Sequence, residues 1–219
     1  MTEVESFSEL SVDAAICRAS FEDFVREFWD QAPGSGPLVW NFHLSVFCNE
    51  AQQIAERVFL GQKKVYDLVV NVSPGTSKSR IFSVLFPVWM WTRMPQARIL
   101  TASHTDSLVL DLSNKSRQVL KSEKFREWYP TIQLRSDMDA KGAYANTAGG
   151  DRRTCTVAGK TPLGQHASIL IVDDPIDPKK VMSEVELKTA REFMTNILPS
   201  RKVDKAITPT ILIMQRLGI

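Results

Sequence analysis

Three short segments contain the residue types needed to handle a metal-bound phosphate. In Ser73-Pro74-Gly75-Thr76-Ser77-Lys78-Ser79, Lys78 offers a point charge for the β- and γ-phosphates of a nucleotide. The Ser79 hydroxyl is a hard oxygen donor suited to Mg²⁺. In Ser168-Ile169-Leu170-Ile171-Val172-Asp173-Asp174, an apolar stretch ends in two carboxylates. Asp173 would hold Mg²⁺ through its hydration shell, while Asp174 would orient or deprotonate an attacking water. Aspartate is one methylene shorter than glutamate, so the second role can also act through another water or pass to Asp177. The third segment, Thr210-Ile211-Leu212-Ile213-Met214, ends in Gln215-Arg216. A polar side chain there, on a neighbouring strand end, could sense the γ-phosphate.

Each segment also has a plain structural reading. The pattern G-x-x-x-x-G-K-[ST] places glycine at positions 72 and 77, where this chain has Val72 and Ser77. Gly75 supplies one flexible point, and Ser77 must avoid or tolerate any demand for positive φ. Taken alone, residues 73–79 also describe a polar turn capping an ordinary helix. Asp173-Asp174 also describes an acidic turn before Pro175, and Gln215 a solvated strand end. Gly159-Lys160-Thr161 has the better tripeptide, but Pro162 and Gly164 follow and then a strand. No helix N-terminus is available there to hold phosphate, so Lys160 reads as a surface-loop residue.

What favours the chemistry is the order of the elements. Asp67–Val72 is apolar and β-branched and reads as a buried strand of a parallel sheet. A Gly/Pro loop follows, then helical spacing over residues 79–93 in Ile81, Val84, Leu85 and Val88, with Pro87 predicting a kink or an early end. That sequence of strand, loop and helix converges backbone N–H groups and a helix dipole on phosphate. Upstream, Phe21, Phe24, Val25 and Phe28 predict a helix that ends before Pro33-Gly34-Ser35-Gly36-Pro37. Leu44 to Val58 predicts a second helix stopped near Gly61. Downstream come a strand at Ala97–Ala102, a helix over Asp106–Leu120, strands at Thr154–Ala158 and Ser168–Val172, a helix over Ser183–Leu198 and a strand at Thr210–Met214. Residues 122–150 give little signal. The alternation predicts an α/β fold in which strand ends 95 positions apart, at Lys78 and Asp173, meet at one sheet edge.

Composition narrows the class. The chain has 219 residues, 43% hydrophobic and 24% charged, and no segment as long as a membrane span. Membrane-spanning and disordered classes are set aside. The start, MTEVESFSELSVDAA, has no basic region leading into an apolar one, so no secretory signal is expected and the protein should stay in a cytoplasm. Cys17, Cys48 and Cys155 suit reduced thiols, and His43, His104 and His166 make no ligand pair at helical spacing, so no structural metal is expected. A net charge of +2 neither requires nor excludes nucleic acid.

Together NVSPGTSKSR, ILIVDDPID and TILIMQRLG resemble the N-terminal ATPase domain of the large terminase subunit of tailed bacteriophages. The likeness spans roughly residues 40–219. It lies in a glycine-poor, Pro-containing Walker A loop before Lys-Ser, an Asp-Asp-Pro form of Walker B, and a Met-Gln-Arg-Leu strand end. The resemblance implies an ASCE-type P-loop NTPase, an α/β fold with a mainly parallel sheet flanked by helices. It implies a helical extension over residues 1–37 and an ATPase domain over 38–219, with the family's C-terminal nuclease domain outside this chain. Ser73 to Arg80 would bind ATP, and Trp40-Asn41-Phe42-His43 looks like the adenine-side segment, which brings in His43.

The implied activity is Mg²⁺-dependent ATP hydrolysis that drives double-stranded DNA into a procapsid in the host cell cytoplasm. The implied partners are the portal protein, the small terminase subunit and further copies of the chain in a ring. Ring motors commonly insert an arginine into a neighbouring subunit's site. Relatives place one in a Gly-Arg-Gly turn before Walker B, where this chain has Gly164-Gln165-His166. Arg152 and Arg153, beside Gly149-Gly150, are then the candidates, with Arg80 a further one; phosphate contact with DNA explains Arg152 and Arg153 as well. Two other readings stay open: a different DNA-dependent P-loop ATPase such as a helicase, and an assembly module that binds nucleotide without turnover.

Overall fold

A computed structural model describes residues 11–34, 36–159 and 164–215. The described elements, in chain order, are α1 (Val12–Ala19), α2 (Phe21–Phe28), α3 (Phe42–Phe59), β1 (Leu68–Asn71), a π-helical turn (Arg80–Leu85) running into α4 (Phe86–Arg93), β2 (Arg98–Ser103), α5 (Asp106–Lys121), α6 (Glu123–Trp128), β3 (Leu134–Ala140), β4 (Ala143–Asn146), β5 (Asp151–Thr156), β6 (Ile169–Asp173), a 3-10 turn (Pro178–Lys180), α7 (Glu184–Glu192) continuing into a second π turn (Phe193–Ile197) and a 3-10 turn (Leu198–Arg201), and β7 (Thr210–Met214). Helices α1, α2, α5, α6 and α7 each start on a serine or threonine whose hydroxyl accepts the N–H three residues on, as in Ser20 to Asp23 and Thr105 to Leu108. Such caps satisfy donors that the first turn leaves unpaired.

The strands form one seven-stranded sheet in the order β1-β7-β6-β2-β5-β4-β3. From β1 to β5 all neighbours are parallel, while β4 pairs antiparallel with both β5 and β3. The register aligns the C-terminal ends: Asn71 lies opposite Met214, Asp173 opposite Ile213, and Ser103 opposite both Asp173 and Thr156. The loops after β1, β2, β6 and β7 therefore open on the same edge. This is the mainly parallel, helix-flanked α/β sheet the alternation predicts. Strand β7 has the predicted bounds, and β2, β5 and β6 are each displaced by one to three residues.

Three expectations change. First, among the described residues β1 is parallel but lies at the sheet edge, pairs only with β7, and leaves Val69 61% exposed. An apolar β-branched run does not by itself distinguish a central strand from an edge. Second, Pro87 does not end its helix. It sits in the first turn of α4, just after the π turn, a position where a missing N–H is tolerated. Third, residues 122–150 hold α6 and the β3–β4 hairpin, and α1 precedes the predicted first helix.

One apolar cluster unites Phe21, Phe24 and Phe28 of α2 with Phe47 and Ile54 of α3, Phe82 of the π turn, Trp89 of α4, and Ile171 and Ile213 of the sheet. The helices assigned to an N-terminal extension thus share the core of the sheet. A smaller cluster on the other face joins Leu100, Leu170 and Val172 to Phe193 and Leu198. No helix among the described residues is long and apolar enough to cross a membrane.

Candidate nucleotide site

Between β1 and its helix the backbone turns through two left-handed residues, Gly75 (φ 80°) and Ser77 (φ 63°). Glycine takes this conformation freely, whereas a serine pays a modest strain for it. The consensus glycine at 77 is thus replaced by a residue that accepts the angle rather than avoids it. The Thr76 hydroxyl donates to the Ser73 carbonyl at 2.9 Å, which closes the turn. The first intrahelical bond runs from the Ile81 N–H to the Ser77 carbonyl at 3.0 Å. The N–H groups of Lys78 and Ser79 precede it, at the end of a helix where backbone donors can turn to an anion. Ser73, Pro74 and Gly75 are exposed, and Lys78 is 7% exposed.

Asp173 ends β6, 0% exposed, and meets this loop directly. The Ser79 hydroxyl donates to its Oδ1 at 3.0 Å and the Ser83 hydroxyl to its Oδ2 at 2.6 Å. Burial pushes the Asp173 carboxyl up to about 6. The charge of Asp174 adds to the rise, and the two hydroxyl bonds and the Lys78 ammonium work against it.

Asp174 adopts φ 45°. Two strand ends hold it there. Its N–H donates to the Ile213 carbonyl at 2.8 Å, and its Oδ1 accepts the Gln215 N–H at 3.1 Å. Its carbonyl receives the His104 N–H at 3.2 Å and lies 2.7 Å from His104 Nδ1. A non-glycine residue held left-handed by its surroundings is a common feature of functional sites. Lys78, Ser79, Asp173, Asp174 and Gln215 are thus brought to one edge. Arg216 lies outside the described residues, as do Lys160 and Thr161 of the alternative tripeptide.

The arginine expectations do not fit the geometry. Arg152 is not on the glycine loop but inside β5, 1% exposed, with Nη2 donating to the Ser83 carbonyl at 2.6 Å and to Thr101 Oγ1 at 3.3 Å. A side chain so enclosed cannot reach a neighbouring subunit. Arg153, half-buried on the same strand, pairs with Asp151 at 3.2 Å. Both stand in the half of β5 away from the edge that carries Asp173. Arg80 is engaged within the chain: its guanidinium donates to the carbonyls of Ala32 (3.1 Å) and Pro33 (3.4 Å) and lies 4.9 Å from the Trp29 ring centre. His43 packs edge-on against Phe42 and Phe47 in the first turn of α3.

Sequence reading missed Ser83 and His104. Ser83 was legible as the one hydroxyl within Ile81-Phe82-Ser83-Val84-Leu85-Phe86, four residues after Ser79. His104 carried no such signal, because its role depends on β2 lying beside β6.

The donor set fits Mg²⁺. The Ser79 hydroxyl and an Asp173 carboxylate oxygen are hard oxygen ligands in contact at 3.0 Å. Mg²⁺ keeps several ligands as water and phosphate oxygens, so two protein ligands suffice. No group of three His, Cys, Asp or Glu side chains able to hold a metal occurs among the described residues. Cys17, Cys48 and Cys155 are free and buried.

No known protein-family profile and no curated protein matches the chain in sequence. Among solved structures it is similar to the large terminase of bacteriophage HK97, with 11% identity and a TM-score of 0.52, over 89% of this chain and 38% of that one. The large terminase of a thermophilic bacteriophage aligns at 12% identity and a TM-score of 0.42, over 74% of this chain and 38% of its own. The same thermophilic phage protein in complex with ADP aligns at 11% identity and a TM-score of 0.35, over 74% and 38%. The chain thus spans 38% of the HK97 protein's length. At such identity the likeness is one of fold, a mostly parallel α/β sheet flanked by helices that this chain shares with the HK97 protein.

Proposed function

We propose that this chain is the ATPase motor domain of a viral DNA-packaging terminase. In this reading it hydrolyses ATP to move double-stranded DNA into a procapsid within the host cell cytoplasm. It works there as a ring of copies, with the portal protein and the small terminase subunit. The observation that carries the reading is the contact of Ser79 with Asp173 across 94 residues of chain, which joins a phosphate loop to a carboxylate strand end. The likeness in fold to the HK97 large terminase supports it.

In the proposed reaction Lys78 and the N–H groups of the first helical turn hold the β- and γ-phosphates. Ser79 and Asp173 would hold Mg²⁺, which supplies charge neutralisation at the phosphates. Asp174, its carboxylate pinned through Oδ1 by the Gln215 N–H, orients the attacking water and accepts its proton. Gln215, tied to Asp174 through that bond, registers whether the γ-phosphate is present. The arginine that would complete a neighbour's site is assigned to none of Arg80, Arg152 and Arg153.

The test is Mg-ATP turnover and Mg-ADP binding by the wild-type chain and by Lys78→Ala. Wild-type binding in the micromolar range, lost with Lys78, is the expected result. Equal binding by both, or none by the wild type, overturns the proposal.

A further inference from the structure

We propose that Ser83, backed by Arg152, is a positioning residue that fixes the Asp173 carboxylate so that one chosen oxygen faces Ser79; the inference rests on the reading of this edge as a Mg-nucleotide site. Ser83 is 0% exposed and lies in a run whose other side chains, Ile81 to Phe86, are apolar and buried. A hydroxyl there is unfavourable unless bonded. Its bond goes to Asp173 Oδ2 at 2.6 Å, while Ser79 takes Oδ1 at 3.0 Å. The two oxygens are therefore distinct: one is held inside by Ser83, and the other lies beside the half-buried Ser79 at the phosphate loop. A cation taking Ser79 and Oδ1 as ligands leaves the Ser83 bond intact, and the carboxylate keeps its plane.

Ser83 is itself anchored. In a regular helix its carbonyl would accept the N–H of residue 87, but Pro87 has none. Arg152 supplies the missing donor, Nη2 to the Ser83 carbonyl at 2.6 Å, and is steadied by Thr101 Oγ1 and the Tyr144 hydroxyl, each at 3.3 Å. Enclosing a guanidinium among neutral oxygens is costly, and an apolar side chain could fill the volume. It could not, however, hold that carbonyl. The line Arg152, Ser83, Asp173 thus runs from β5 through the phosphate-loop helix to the end of β6. Outer residues of this kind typically change metal affinity or activity by about 10- to 100-fold.

Ser116 provides a control for a merely structural effect. Its hydroxyl donates to the next carbonyl of the same π turn, that of Val84, at 2.7 Å, and does not touch Asp173. ADP binding is measured by calorimetry in Mg²⁺ and in EDTA for the wild type, Ser83→Ala, Arg152→Met and Ser116→Ala, with the thermal midpoint of each. Ser83→Ala is expected to lose about 10- to 100-fold of the Mg²⁺-dependent gain in affinity while its affinity in EDTA stays at the wild-type level. Ser116→Ala should lower the midpoint and keep the whole gain. Arg152→Met should follow Ser83→Ala; if it fails to fold, Ser83→Ala decides. A full Mg²⁺ gain in Ser83→Ala, or equal losses in Ser83→Ala and Ser116→Ala, overturns the inference and leaves the site reading standing. A wild type that binds ADP without any Mg²⁺ gain overturns both.

Discussion

The two ends of the sheet are built on different physics. At the parallel end, β6 buries all five residues and holds Asp173 fully buried, where position is set by packing and by hydrogen bonds to Ser79 and Ser83. At the antiparallel end, β3 exposes Arg135, Ser136, Asp137 and Ala140. It is tied to α5 by charge, with Asp139 bridging Arg117 and Lys121. These pairs are partly open to solvent and so partly screened, whereas the Asp173 carboxylate is fully buried. Chemistry that needs fixed geometry therefore belongs at the first end, and the second can vary without disturbing it.

The strongest way to break this contrast is to delete charge at each end. Asp173→Ala is expected to reduce ATP turnover by about 100- to 1,000-fold, the range for losing one group that stabilises developing charge. Asp139→Ala should leave turnover unchanged. Steady-state phosphate release compares them, and a comparable loss in both would erase the distinction.

Stability against pH sharpens it. The Asp173 carboxyl titrates near 6 in the folded chain, against an ordinary value of 3.8. Between those values the unfolded chain has released a proton that the folded chain keeps, so stability falls as pH rises through this window and the full cost is present above it. Asp173→Asn removes the cost. Without nucleotide it should be more stable than the wild type by on the order of 3 kcal/mol at pH 7.5, and by roughly half as much at pH 5. Urea unfolding at both pH values is the check, and a variant less stable than wild type at pH 7.5 would contradict the account.

The hairpin carries the opposite sign. Hydrogen bonding to Arg117 holds the Asp139 carboxyl below the usual range, with Lys121 adding to the effect. Its contribution is therefore present above pH 3.8 and lost as pH falls through the lower folded value. Asp139→Asn should cost about 1 kcal/mol at neutral pH, and less in high salt. The smallest effect is expected at the phosphate loop. Ser77→Gly relieves the left-handed strain at φ 63° and should raise the unfolding free energy by about 0.5–1 kcal/mol while ADP binding is retained.

Much of the parallel end was legible because its signals are local. The apolar runs before Asp173 and Gln215 read as strands, and the turn-formers from Ser73 to Ser77 read as a loop. Helical spacing after Ser79 carried through Pro87, which follows a π turn and falls in the first turn of α4. The hairpin was not legible, because β3 has few apolar positions and is held by partners on α5 far along the chain. Arg152 was misplaced for a related reason. Charge and nearby glycines suggest a surface loop, yet its place beneath Ser83 follows from the pairing of β2 with β5.

By itself the sequence determined which residues have side chains suited to the proposed chemistry and much of the order of strands and helices that carry them, since hydrophobic period and turn residues act over a few positions. The tertiary structure alone decided that Ser83 and His104 join the site, that β1 is an edge, and that the three candidate arginines bond elsewhere within the chain. Those outcomes depend on which strands become neighbours. That is a balance of packing and burial over the whole chain, and no local pattern encodes it.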